Sequence, residues 1–127
     1  MHVVIDIGNT TTKIGYFKGN ELIEKKIIET DEICYDDLFN TYVKAVIIST
    51  SGKNLTGIES FLTDKNISFH ILSYKTKLPI KIDYKTPETL GLDRIAASAG
   101  AAVLFPNQPC LIIDIGTAVT YDLVVNN

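Results

Sequence analysis

The chain repeats its own opening. Val3-Val4-Ile5-Asp6-Ile7-Gly8-Asn9 returns near the end as Leu111-Ile112-Ile113-Asp114-Ile115-Gly116-Thr117. Each copy is an apolar run of strand length that meets an aspartate and then a glycine, the residue that most readily permits a sharp turn. Each is followed by a second strand-like run, Thr12 to Phe17 in the first copy and Thr120 to Val125 in the second. The repeat predicts a duplicated architecture, of which the chain holds one copy and the opening hairpin of the next. Residues 1–106 are expected to form the first domain and residues 107–127 to begin the second. A lone hairpin is marginal in water and its edges are unpaired. A chain roughly twice as long, or a partner chain, is therefore expected to complete the second sheet.

The segment between the copies predicts an α/β fold. After a turn at Lys18-Gly19-Asn20, Glu21 to Glu29 reads as a third strand, making a meander of three antiparallel strands. The spacing of Ile33, Leu38 and Phe39 predicts a helix over Asp31 to Thr41, with Asp31 as its cap. Ala45-Val46-Ile47-Ile48-Ser49 is a continuous apolar run and predicts a strand buried on both faces. A helix over Lys53 to Asp64 and a strand over Ile67 to Leu72 follow. Residues 73–90 are turn-rich, with Pro79 and Pro87. Leu92 to Phe105 predicts a helix ended by Pro106. Its Ala96, Ala97, Ala99, Gly100, Ala101 and Ala102 either admit a close helix neighbour or are good helix formers around one glycine. The expected fold is a mixed sheet with helices packed on it.

Composition narrows the function classes. The 127 residues suffice for a hydrophobic core, and 46% are hydrophobic. Net charge is −3 and the basic residues are scattered, which argues against a charge-driven nucleic-acid or anionic-membrane surface. No apolar run reaches the roughly 18 residues of a membrane helix. The start, Met1-His2 followed by a strand, does not read as a signal peptide. Cys34 and Cys110 are far apart and His2 and His70 are isolated, so no zinc site is expected. Two reduced and mostly buried thiols in a cytoplasmic protein fit this pattern.

The chemistry lies in the repeated turns. A glycine turn exposes backbone N–H groups that can cradle phosphate oxygens. Two such turns suggest two phosphate-gripping hairpins that face each other. The hydroxyls of Thr10, Thr11 and Thr12 can add donors, and Lys13 sits where it can reach a transferring phosphate. Asp6 and Asp114, at strand ends, suit a divalent cation or its waters. Gly91-Leu92-Asp93-Arg94 opens the alanine-rich helix. A carboxylate in the first helical turn is favoured by the helix dipole, so Asp93 can equally be a plain helix-terminus acid with Arg94 as its surface partner.

In this order, Asp6-Ile7-Gly8-Asn9-Thr10 with Lys13, then Tyr84, then Gly91-Leu92-Asp93-Arg94, then Asp114-Ile115-Gly116-Thr117-Ala118, the whole chain resembles type III pantothenate kinase. The resemblance implies a ribonuclease H-like, actin-like ATPase domain and the first hairpin of a second, duplicated one. It implies ATP-dependent phosphorylation of pantothenate, the first step of coenzyme A synthesis, by a homodimer whose pocket draws on both subunits. Asp6, Ile7, Gly8, Asn9, Thr10, Thr11, Thr12 and Lys13 would form a phosphate loop for ATP, and Thr117 would also contact ATP. Asp93 would be the catalytic base, and Tyr84, Gly91, Leu92, Asp93 and Arg94 would line the pantothenate pocket. Asp114 would hold a monovalent cation, potassium or ammonium, and Asp6 would serve the Mg that accompanies ATP. One stretch departs from the family. Ser49-Thr50-Ser51-Gly52-Lys53-Asn54 stands where a Ser-Val-Val-Pro-like stretch is more usual, and it is not a Walker A loop. Another actin-like phosphohydrolase would share the two turns but has no need of Tyr84 with Gly91 to Arg94. A non-catalytic regulator on the same scaffold would have no use for Asp6, Lys13 and Asp93 together.

Overall fold

The computed structural model describes residues 1–39, 42–52, 54–116 and 118–125. They form two compact units, Met1–Leu72 and Ser73–Asn127. This division concerns packing alone.

In the first unit, β1 (His2–Ile7), β2 (Thr11–Lys18) and β3 (Glu21–Glu29) form the antiparallel meander. α1 (Tyr35–Leu38), β4 (Ala45–Thr50), α2 (Thr56–Asp64) and β5 (Ser68–Ile71) follow. The five-stranded sheet has the order β3-β2-β1-β4-β5, with β4 parallel to both β1 and β5. This is the expected mixed sheet. Alternation along the strands decides which side becomes the core. Val3, Ile5 and Ile7 of β1, Ile14 and Tyr16 of β2, and Val46 and Ile48 of β4 share one buried cluster with Leu38, Ile58 and Leu62 of the helices. The intervening residues, among them Val4, Asp6 and Lys13, look the other way.

Three sequence expectations need correction. The thiols are not mostly buried, since Cys34 is exposed and Cys110 only half-buried. The run at Ala45 to Ser49 is not buried on both faces. Val46 and Ile48 are buried, but Ile47 is 46% exposed. A continuous apolar run does not say how many faces are covered, and both helices of this unit pack on the same one. The helix expected over Asp31 to Thr41 is also broken. Thr30–Glu32 is a single 3-10 turn, Ile33 and Cys34 are extended, and only Tyr35–Leu38 is α-helical. The cause lies just upstream. The Thr30 N–H donates to the Thr10 carbonyl at 2.8 Å, and the Thr30 hydroxyl donates to the Gly8 carbonyl at 3.0 Å. These bonds tie the end of β3 to the β1–β2 turn and delay helical winding. Residues 40 and 41 lie outside the described residues. So does Lys53, the expected start of the next helix. The described helix begins at Thr56, whose N–H and hydroxyl both donate to Asn54 Oδ1.

In the second unit, a 3-10 turn at Pro87–Thr89 precedes α3 (Leu92–Leu104) and the antiparallel pair β6 (Cys110–Ile115) and β7 (Val119–Val124). Register separates the hairpin's two faces. Leu111 pairs with Leu123, Ile113 with Tyr121 and Ile115 with Val119, and all of these are exposed. On the other face Cys110 pairs with Val124, Ile112 with Asp122 and Asp114 with Thr120. α3 packs against both strands, with Ile95 buried. A Cβ added at Gly100 would meet open space, so no tight backbone contact explains that glycine here.

Candidate functional site

The site residues fall into two groups, one in each compact unit. In the first, β1 and β2 place Asp6 directly opposite Lys13 and Ile7 opposite Thr12. Asp6 and Lys13 share the face turned away from the core, an opposite-charge cross-strand pair. Ile7 and Thr12 point into the core and are buried. The turn between them is tight. The Gly8 N–H donates to the Thr11 carbonyl at 3.1 Å, and a Cβ at Gly8 would lie 2.7 Å from that oxygen. No side chain fits there, which explains the glycine.

Flanking elements lock this turn. The Thr12 and Thr30 hydroxyls lie 3.1 Å apart. From the end of β4, the Ser51 N–H donates to the Ile7 carbonyl at 3.2 Å, and the Ser51 hydroxyl lies 3.4 Å from both that carbonyl and Asn9 Oδ1. Thr12 is therefore a structural tie rather than a free donor, and the Gly8 amide is engaged within the turn. Asn9 and Thr10 are exposed and Thr11 is half-buried, so they remain as the turn's outward-facing polar residues. Thr30 and Ser51 were not legible as parts of the site. Their role depends on partners distant in sequence.

In the second unit the group gathers at the start of α3. Gly91 precedes the helix with φ −54° and ψ 133°. Asp93 folds its carboxylate back over Gly91, into the space a side chain there would occupy. Asp93 Oδ1 accepts the Arg94 N–H at 2.9 Å, and the Asp93 side chain is exposed. Arg94 bends toward β7. Its Nε donates to Asp122 Oδ2 at 2.9 Å and its Nη2 to Asp122 Oδ1 at 2.7 Å, with the Tyr121 carbonyl at 3.4 Å from Nη2. The Tyr84 ring lies 5.7 Å from the guanidinium carbon, within cation–π range. The bidentate bond to Asp122 holds the Arg94 pKa above even its ordinary high value. Tyr84, Gly91, Asp93 and Arg94 are thus brought together, with Leu92 in the first turn of the same helix. Asp122 joins them and was not singled out by sequence. Its signal was a carboxylate within the otherwise uncharged strand Val119–Val124.

Asp114 is exposed near the end of β6, opposite Thr120 and on the same face as Asp122. Among the described residues no three His, Cys, Asp or Glu side chains converge as a metal cluster. Asp6 and Asp114 each offer a single carboxylate, which suits a cation that keeps waters or takes most ligands from a nucleotide. Thr117, expected to contact ATP, lies outside the described residues. A cleft of about 540 Å³ in the same unit runs beside α3 and β7, lined by Ile80, Ile82, Tyr84, Ile95, Ser98 and Leu123 among others.

The five-stranded mixed sheet with its helices fits a kinase-like α/β fold. The model of the type III pantothenate kinase family matches residues 2–127, and the chain belongs to that family. A type III pantothenate kinase of Azobacteroides pseudotrichonymphae is 40% identical over 128 residues, covering 98% of this chain and 51% of the relative. One from Cytophaga hutchinsonii is 40% identical over 126 residues, covering 98% and 52%. The chain thus spans about half the length of the curated relatives it matches. Among solved structures, a Campylobacter jejuni protein assigned to the Baf family of transcriptional activators aligns over 98% of this chain and 49% of its own. Its TM-score is 0.53 at 22% identity, a likeness of fold alone.

Proposed function

We propose that the protein carrying this chain phosphorylates pantothenate with ATP to give 4'-phosphopantothenate and ADP, the first step of coenzyme A synthesis. The observation that carries the reading is the Asp93 carboxylate, exposed on the first turn of α3 beside Tyr84 and Arg94. The Asp93 carboxylate accepts the proton of the primary hydroxyl as the hydroxyl oxygen attacks the γ-phosphorus. The bond to the β,γ-bridging oxygen breaks and ADP leaves. Such a transfer depends mainly on placement and charge neutralisation, so the base needs no raised pKa.

In this reading the β1–β2 turn meets the ATP phosphates through Asn9, Thr10 and Thr11, and Lys13 offsets their charge. Ile7, Gly8 and Thr12 keep the turn in shape. Asp6 serves the Mg that travels with ATP, Asp114 a monovalent cation (potassium or ammonium), and Thr117 the nucleotide. Tyr84, Gly91, Leu92 and Arg94 line the pantothenate pocket. An actin-like domain repeated from residue 107 and a cytoplasmic homodimer belong to the same reading. The test is formation of 4'-phosphopantothenate by the full-length protein, followed by mass spectrometry in potassium and in sodium buffers. Potassium-stimulated product supports the reading. Loss of ATP without phosphorylated pantothenate would replace it with a phosphohydrolase.

A further inference from the structure

We propose that Asp122 is a positioning residue which, through Arg94, fixes the direction of the Asp93 carboxylate. Arg94 is held from two sides. Its backbone N–H donates to Asp93 Oδ1 at 2.9 Å, and its guanidinium is gripped by both Asp122 oxygens at 2.7 and 2.9 Å. A chain of contacts therefore runs from β7 through Asp122 and Arg94 to Asp93. The Ile95 N–H, donating to the Gly91 carbonyl at 3.2 Å, closes the same helical turn. The Arg94 and Asp122 side chains are only 23% and 18% exposed, so water competes weakly for the pair. A two-point fork between guanidinium and carboxylate fixes orientation as well as distance.

The internal repeat supplies a second argument. In the first hairpin Val4 pairs with Gly15, and in the second the corresponding Ile112 pairs with Asp122. The hairpin forms with glycine at that position, so its fold does not demand a carboxylate there. What the second copy adds is a partner for Arg94. Two of the three guanidinium nitrogens, Nε and Nη2, are then committed to the protein, which holds the Arg94 side chain where it lies.

The role assigned to Asp93 rests on the kinase reading, whereas the grip itself stands on the contacts alone. Both are separable in the full-length protein with Asp122→Asn, Arg94→Lys and the double variant. Expected is a fall in kcat of about tenfold or more for each single variant, with the KM for ATP within about twofold of wild type. The double variant should be no worse than either single one, as for residues acting through one contact. A merely structural carboxylate would lower the melting temperature and leave kcat per folded enzyme unchanged. Wild-type kcat in a folded Asp122→Asn protein, or additive losses, would overturn the proposal. If wild type forms no 4'-phosphopantothenate, the kinase reading falls and amide hydrogen exchange decides the grip. Faster exchange at residues 93–95 in Asp122→Asn keeps it, and unchanged exchange removes it.

Discussion

Gly91 and Asp93 are one device. The Asp93 carboxylate occupies the space above Gly91, so Gly91→Ala must push it aside. The expected result is a fall in kcat for pantothenate phosphorylation of about tenfold or more, with ATP affinity unchanged, since misplacing a reacting group is costly even without losing it. Steady-state kinetics against both substrates checks this. Gly8 is constrained differently, because its obstacle is backbone, the Thr11 carbonyl. Gly8→Ala should lower stability by about 1–3 kcal/mol, the usual cost of overpacking, and weaken nucleotide binding. Denaturant titration and calorimetry with ATP would measure the two effects. Both glycines were visible in the sequence as turn and helix-start residues. Their reasons were not, because each depends on how the chain folds an atom from two or three residues further along back over the glycine.

At the scale of elements, the sheet rests on alternation. Ile5 and Ile48 sit side by side in parallel strands with no exposed surface, so Ile48→Ala should destabilise the chain by about 2–5 kcal/mol. Tyr16 ties β2 to α1, its buried hydroxyl donating to the Leu38 carbonyl at 3.1 Å. Burial raises its pKa above the ordinary value of about 10. The unfolded chain therefore loses this proton first as pH rises. The contribution is complete below about pH 10 and declines above it, until the folded phenol also ionises. Tyr16→Phe should cost about 1 kcal/mol at neutral pH and remove that share of the alkaline decline, as urea melts of both proteins between neutral and alkaline pH would show. The meander, β4, α2, α3 and the second hairpin were legible because each carries a clear period or a glycine punctuation. α1 was not, because bonds from Thr30 to the first turn override local helical spacing. Asp122 was hidden for the same reason: its partner is 28 positions away.

At the scale of the molecule, the second unit carries an apolar hairpin face of Leu111, Ile113, Ile115, Val119, Tyr121 and Leu123, all at least half exposed. Large exposed apolar patches drive association. The 127-residue chain should therefore associate as concentration rises, and replacing Ile113 and Leu123 with threonine should suppress this in light scattering. In the first copy the matching residues Val3, Ile5, Ile7, Thr12, Ile14 and Tyr16 are buried within their own unit. In the proposed reaction Asp93 takes the proton of the pantothenate hydroxyl. The direct test compares 4'-phosphopantothenate formation by the full-length wild type and Asp93→Asn, in potassium buffer. Expected is a fall in kcat of about a hundredfold or more, the scale of a lost general base, in a variant that stays folded and binds ATP normally. Turnover within a few fold of wild type would contradict it.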